Sequence, residues 1–250
     1  MAKGPVRNIE PIRVVVRPIN LAQHELEVSL ELPGEALAKG AVASLPAWTP
    51  GSYLVRDYAR FVDRVALKDS RGEIHPLGKL DKQRWQLPLL KGNATLSYRV
   101  FCNELSVRTN HVDAAHAQLV GAATFMYLEK EQGRSVAVRF ENFPAAWNVA
   151  SSLPFKNGFY HAANYEELVD SPFELGTFRL HTFHALNADF EFAITGEHNG
   201  DEARIIDGAK KIVTQAGSIF GAFHSSATHS CSPSAPRPAA AWSTRTPPRC

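Results

Sequence analysis

Apolar and polar residues alternate along much of the first 140 positions of this chain. From Glu25 to Leu32 the alternation is strict. Leu26, Val28, Leu30 and Leu32 share one face, and Glu25, Glu27, Ser29 and Glu31 the other. A period of two places successive side chains on opposite faces of an extended backbone, so the segment predicts an antiparallel strand with one wet face. Leu96, Tyr98, Val100 and Cys102 repeat the pattern against Thr95, Ser97, Arg99 and Asn103. Ile12, Val14, Val15 and Val16 form a β-branched run that predicts a strand over 10–18. Shorter candidates lie at 41–45, 61–68, 83–87, 124–128 and 136–140. The alternation of Phe61, Val65 and Leu67 is only approximate, which predicts a strand with one irregularity. Pro33-Gly34 and Ser70-Arg71-Gly72 supply turns, and Glu131-Gln132-Gly133 reads as the hairpin link between 124–128 and 136–140. Short strands separated by turn signals predict a mainly β fold, an antiparallel β-sandwich.

The period changes further along. Pro144, Trp147, Pro154 and Gly158 break any repeat, and Tyr165–Asp170 suits one or two helical turns. Segments 178–186 and 190–195 read as strands joined by Asn187-Ala188-Asp189. From Asp201, the residues Ile205, Ala209, Ile212, Val213, Ala216, Ile219 and Phe220 recur at helical spacing, predicting an amphipathic helix that ends near Gly221. Residues 224–250 hold five prolines, six serines and no acid, with neither period. Such a segment cannot bury enough apolar surface to order itself, so disorder is expected there.

Composition narrows the function classes. The 27 basic and 25 acidic residues give a net charge of +2, but three of the basic ones are Arg237, Arg245 and Arg249. The rest of the chain has 24 basic against 25 acidic residues, which leaves no electrostatic footprint for nucleic acid. No apolar run is long enough to span a membrane, and no apolar stretch follows the N-terminus as a secretory signal would. Cys102, Cys231 and Cys250 form no disulfide framework. Together these features predict a cytoplasmic protein.

The densest segment is Leu45-Pro-Ala-Trp-Thr-Pro-Gly-Ser-Tyr-Leu-Val-Arg-Asp-Tyr-Ala-Arg60. Two prolines and a glycine force a rigid turn, and aromatic and charged residues then crowd together. One reading is a structural corner, with Trp48 and Tyr53 packed beneath the turn and Arg56 paired to Asp57 or Asp63. The other is a loop that presents Tyr53, Arg56, Asp57 and Arg60 to a cleft. Either way Trp48 and Tyr53 are expected to be mostly buried and Arg56 to be hydrogen-bonded.

This segment closely resembles the N-terminal signature of the glycyl aminopeptidase family of zinc metallopeptidases, whose members often carry a C-terminal PDZ domain. Leu168-Val-Asp-Ser-Pro-Phe-Glu-Leu-Gly176 resembles the same family's pattern. The resemblance covers roughly residues 12–223. It implies a β-sandwich over 10–175, then the beginning of a thermolysin-like catalytic domain over 176–223, built of two strands and a helix. It also implies a zinc cofactor and a peptide substrate in full-length members, which release N-terminal glycine or alanine. The substrate-cleft candidates it leaves in this chain are Tyr53, Arg56, Asp57 and Arg60. With the catalytic domain only begun, Ile205, Ile212 or Phe220 on the helix is expected to be more exposed than a core residue.

The zinc chemistry itself is absent from the sequence. A helical zinc site needs His-Glu-x-x-His, so that residues one turn apart grip one ion. The one His-Glu here is His24-Glu25, in a predicted strand with Val at position 28. The chain is therefore expected to hold no zinc and no catalytic residue of its own. His181 and His184 stand an odd number apart in a predicted strand and face opposite ways. His111 and His116 flank Asp113 in a probable loop, where surface histidines are the default and a three-ligand metal site requires all three side chains to converge. Glu166, Glu167, Asp170 and Glu174 read as a solvated acidic surface.

Two alternatives stand beside a peptidase fragment. One is a free-standing sandwich that binds carbohydrate or peptide, which exposed coplanar aromatics would favour and buried Trp48, Trp85 and Trp147 would disfavour. The other is a metal enzyme built on His111, Asp113 and His116. The tail adds a separate expectation. A one-base shift through synonymous codons turns residues 224–235 into Phe-Glu-Arg-Tyr-Thr-Phe-Leu-Leu-Thr-Leu-Gly, and the stretch from Ala239 into Gly-Gly-Leu-Glu-His. The Glu is nearly fixed by the single codon of Trp242. Residues 224–250 thus read as an out-of-frame translation that truncates the family's sequence.

Overall fold

The computed structural model describes residues 10–220, 227–232 and 239–240, with Phe220 and the last two segments described as backbone. Its largest element is an eight-stranded sheet. Ile12–Asn20, Glu25–Leu32, Ala94–Phe101 and Val62–Asp69 lie side by side in it as antiparallel neighbours. The strict alternation of Glu25–Leu32 becomes a register in which Leu26, Val28 and Leu30 stand opposite Val100, Tyr98 and Leu96. All six are buried. The irregularity expected near Val65 is a break in register between Asp63 and Ala66, where Arg64 takes a φ of 50°.

A five-stranded sheet lies against the first. In it Phe173–Gly176 is flanked by His116–Leu119 and Asn148–Ala150. Phe173 joins the layers: its ring lies 5.0 Å from Phe140 and 5.5 Å from Tyr160, both of the main sheet, and 6.0 Å from Phe125. Facing apolar surfaces of two sheets make the core of a sandwich. Tyr98 closes the core with a polar clasp. Its phenol donates to the Thr124 carbonyl and accepts from the Met126 N–H, both at 2.9 Å, so no buried backbone group there is left unpaired.

Four local expectations are corrected. Glu131-Gln132-Gly133 joins no hairpin. Tyr127–Leu128 pairs with Val42–Ser44, whereas Val136–Phe140 runs parallel to Ile12–Asn20. The apolar run before it divides, because Gly121–Thr124 is a helical turn. Apolar runs this short do not reveal their partners. A third small sheet carries Val42–Ser44 and Arg84–Gln86. The turn after Phe178–Ala185 is tighter than expected, with Leu186 and Asn187 at φ of 54° and 60° between that strand and Ala188–Thr195. Both central residues in the left-handed region are the mark of a two-residue hairpin. Finally, Ala227–Ser232 runs parallel to Ala188–Thr195, and Ala239–Ala240 pairs with it. An open strand edge pairs through backbone groups and needs no side-chain period. The rest of 224–250 lies outside the described residues.

The helix Glu202–Phe220 forms as its spacing predicts. Val213 packs with Ala185, Ala188 and Phe190 in a small second core. Ile205, Ile212 and Ile219 remain 43%, 60% and 69% exposed, as expected for the first two. Phe220's side chain is outside the described residues. No helix among the described residues is long and apolar enough to cross a membrane.

The hairpin Val62–Asp69/Ile74–His75 rests on one carboxylate. Asp69 Oδ1 accepts the N–H groups of Arg71 and Glu73, both at 2.9 Å. The Glu73 N–H is the largest influence holding its pKa down, from 3.8 to about 2, with His75 and Arg71 adding to it. A depressed carboxylate stabilises the fold above its unfolded value, and that contribution is lost as pH falls through the folded value. Urea midpoints measured between pH 5 and 2 are therefore expected to fall more steeply for the natural chain than for Asp69→Asn. Parallel curves would show that the charge contributes nothing.

Candidate functional site

The segment 45–60 folds as a compact loop closed at its base. The Ala47 carbonyl accepts the N–H of Arg56 at 2.7 Å and that of Asp57 at 3.3 Å, so ten residues leave and return at one point. Ser52 is buried at the centre and donates to the Leu54 carbonyl. The Trp48 indole donates to the Ser52 carbonyl at 2.7 Å. Gly51, at φ 82°, allows the turn before it.

This internal bonding corrects the expectation that the aromatics are buried. Trp48 is 48% exposed and Tyr53 95% exposed, with Leu54 and Val55 also open. Backbone groups and one serine hold the loop, so the rings need not support it from beneath. They form an apolar tip instead. The buried aromatic of the segment is Tyr58, under the turn Tyr58–Phe61.

The four cleft candidates do not converge on one another. Tyr53 stands at the tip. Arg56 is half-buried; its Nε donates weakly to Ser52 Oγ at 3.4 Å. Among the described residues no carboxylate pairs with its guanidinium, neither Asp57 nor Asp63. Asp57 binds Lys82 at 2.7 Å through Oδ2, while its buried Oδ1 has no partner among the described residues. Its backbone is left-handed, at φ 48°. Arg60 reaches Glu104 at 3.5 Å and stacks on Phe61. A left-handed aspartate with an orphaned acceptor beside an unpaired cation is the kind of local cost that folds keep at working surfaces.

A cleft of about 460 Å³ opens beside the loop, between Trp48, Pro50 and the helical turn Tyr165–Val169. Glu166 and Asp170 give it an acidic wall. Burial, reinforced by the Glu166 charge, raises the Asp170 pKa above its ordinary value. The cleft joins segments more than a hundred residues apart, so no local motif marks it. Nor is the acidic group one solvated surface. Glu167 accepts from the Ala163 N–H at the start of its helical turn, and Glu174 is buried. Among the described residues no stacked ring pair includes Trp48 or Tyr53, while Trp85 is buried and Trp147 is half-buried against Phe143. Among the described residues Trp48 and Tyr53 are thus exposed but build no coplanar platform.

His111, Asp113 and His116 do converge. They lie on a hairpin, Thr109–Val112 and His116–Leu119, rather than in an open loop. His116 is buried, contrary to the expectation of surface histidines. Its Nδ1 lies 2.9 Å from Glu174 Oε1, which also accepts from the Thr195 hydroxyl. Burial lowers the His116 pKa, but the Glu174 hydrogen bond and charge, with the Asp113 charge, outweigh it and hold the pKa above its ordinary value. For Asp113 burial acts upward and is outweighed by the N–H groups of His116 and Ala115, which lower its pKa.

Comparison with known proteins agrees with this architecture. The family described as peptidase M61 N-terminal domain matches residues 13–177. Among solved structures, an aminopeptidase N family protein from Idiomarina loihiensis is similar, with a TM-score of 0.78 and 28% identity. The match covers 87% of this chain and 38% of that one, so the chain spans well under half of that protein's length. No curated protein matches.

Proposed function

The chain belongs to the peptidase M61 N-terminal domain family, and from that premise we propose that it is the N-terminal part of a zinc-dependent glycyl aminopeptidase, inactive by itself. In this reading residues 10–175 are the sandwich domain and 176–223 open the catalytic domain. The zinc, its ligands and the general base belong to the rest of the full-length protein, which would take peptides with N-terminal glycine or alanine and could carry a PDZ domain. Peptide hydrolysis by such enzymes requires a metal-activated water and a base. The sequence of this chain contains no His-Glu-x-x-His to hold them.

The observation that carries the reading is the loop tip. Tyr53, Leu54 and Val55 are exposed beside the Arg56 guanidinium, which pairs with no carboxylate among the described residues, a combination suited to another surface or a ligand carboxylate. Tyr53, Arg56, Asp57 and Arg60, none of which lines the 460 Å³ cleft beside Trp48, are therefore assigned to the wall of a substrate cleft that the rest of the full-length protein would complete. The test is the equivalent of Arg56→Ala in an intact relative. Arg56 makes one long hydrogen bond within the loop, so unfolding free energy should change by less than about 1 kcal/mol. Activity should fall about tenfold or more, with the loss chiefly in KM. Equal losses of stability and activity would assign the loop to structure alone.

The same reading takes residues 224–250 as an out-of-frame translation. The shifted frame reads Tyr-Thr-Phe-Leu-Leu over the stretch whose backbone forms the strand Ala227–Ser232, an apolar sequence suited to that position. Sequencing the source DNA across codon 224 decides it. An unshifted frame with no His-Glu-x-x-His encoded downstream would sink the idea.

A further inference from the structure

We propose that His111, Asp113 and His116 form a binding site for a divalent transition metal of the zinc class, separate from the peptidase chemistry assigned to the rest of the family. Two imidazoles and a carboxylate are a donor set that suits zinc, and hard oxygen-seeking cations much less. The three donor atoms lie within 4.8 Å of one another. Ligands about 2.0–2.1 Å from a tetrahedral ion stand about 3.3 Å apart. The 3.2 Å between His111 Nε2 and Asp113 Oδ2 already meets that spacing.

The hairpin fixes the site. Asp113 Oδ1 accepts from the N–H groups of Ala115 and His116, at 2.7 and 2.9 Å, which holds the carboxylate in place and leaves Oδ2 toward His111. The Asp113 N–H donates to the His116 carbonyl and closes the turn. The two histidine rings are 5.0 Å apart. Glu174 engages Nδ1 of His116 at 2.9 Å, so an ion would take the ring's other nitrogen, Nε2. A carboxylate on the far side of a ligating histidine fixes its tautomer and raises its basicity. Thr195 anchors that carboxylate in turn. Gly176 stands opposite His116 in the sheet, where a Cβ would lie 3.0 Å from His116 Cβ. Three protein ligands leave one tetrahedral position to water.

The other group with suitable donors among the described residues, Asp69, Glu73 and His75, is already occupied by a cation. The Arg71 guanidinium lies 3.3 Å from Asp69 Oδ2 and 3.7 Å from Glu73. Among the described residues no arginine or lysine is paired with His111, Asp113 or His116 in the same way.

The test is titration of the chelator-treated full chain with zinc by calorimetry, with cobalt as a spectroscopic probe. One ion per chain is expected, with cobalt bands of nitrogen and oxygen ligation and no thiolate charge-transfer band. Glu174→Gln, which removes no ligand, should weaken zinc binding by about 10–100-fold. His111→Gln and Asp113→Asn should weaken it at least as much, with circular dichroism unchanged. Replacing His224, His229, Cys231 and Cys250 together should leave binding intact. The proposal is overturned if the natural chain shows no heat of zinc binding. It is overturned equally if folded His111→Gln and Asp113→Asn bind as the natural chain does, or if the four tail substitutions abolish binding.

Discussion

Phe173→Ala is expected to lower the unfolding free energy by about 3–5 kcal/mol, the range for deleting a buried aromatic. Phe173 is completely buried, and its ring touches Phe125, Phe140 and Tyr160. Two of those partners belong to the main sheet and Phe173 to the second, so truncation opens a cavity between the layers rather than at an edge. The site cannot collapse readily, because strands pairing on both sides hold Phe173–Gly176 in register. A loss of that size is a large share of the roughly 5–15 kcal/mol that stabilises an ordinary domain. Phe173→Leu keeps most of the volume and should cost less than about 1.5 kcal/mol. Urea unfolding followed by tryptophan fluorescence measures both. If Phe173→Ala costs under about 1 kcal/mol, the two sheets do not share this core.

The fold was legible where one face of a strand meets water. Glu25–Leu32 and the strand containing Leu96, Tyr98 and Val100 alternate because one side is buried and the other, Ser29 apart, is not, and both form where the pattern puts them. The amphipathic helix was legible for the same reason. Pairing was not. Val136–Phe140 runs parallel to Ile12–Asn20 across more than a hundred residues, and nothing local in either segment encodes that partner. Composition marks the loop at 45–60 but not its exposure. Aromatic density suggested internal packing, whereas a doubly accepting Ala47 carbonyl and the buried Ser52 hydroxyl hold the loop.

The site chemistry divides in the same way. The sequence places Glu174 in a solvated acidic group, yet it is buried between His116 and Thr195. Its environment is created by strands that are distant in sequence, and a run of acids gives no sign of which member turns inward. Sequence alone makes His111 and His116 surface residues, because five positions of separation say nothing about a hairpin. Once Thr109–Val112 and His116–Leu119 pair, the turn draws them together. The acidic cleft beside Trp48 likewise depends on the helical turn Tyr165–Val169 meeting the loop.

The largest expected effect concerns catalysis. Enzymes of this kind owe accelerations of many orders of magnitude to groups that stabilise the transition state. In the proposed reading the groups that hold the catalytic zinc, activate its water and shuttle the proton all lie in the part of the protein that this chain does not contain. In the same reading Tyr53, Arg56, Asp57 and Arg60 would position substrate but not react. A metal on His111, Asp113 and His116 would sit beside Glu174, whose Oε1 is shared by His116 and Thr195. The direct measurement is release of free glycine from a glycyl peptide by the purified 250-residue chain, with and without added zinc, alongside an intact family member. The account predicts release by the intact enzyme that depends on zinc, and none above the buffer rate from this chain in either condition. Zinc-dependent glycine release by this chain would contradict it.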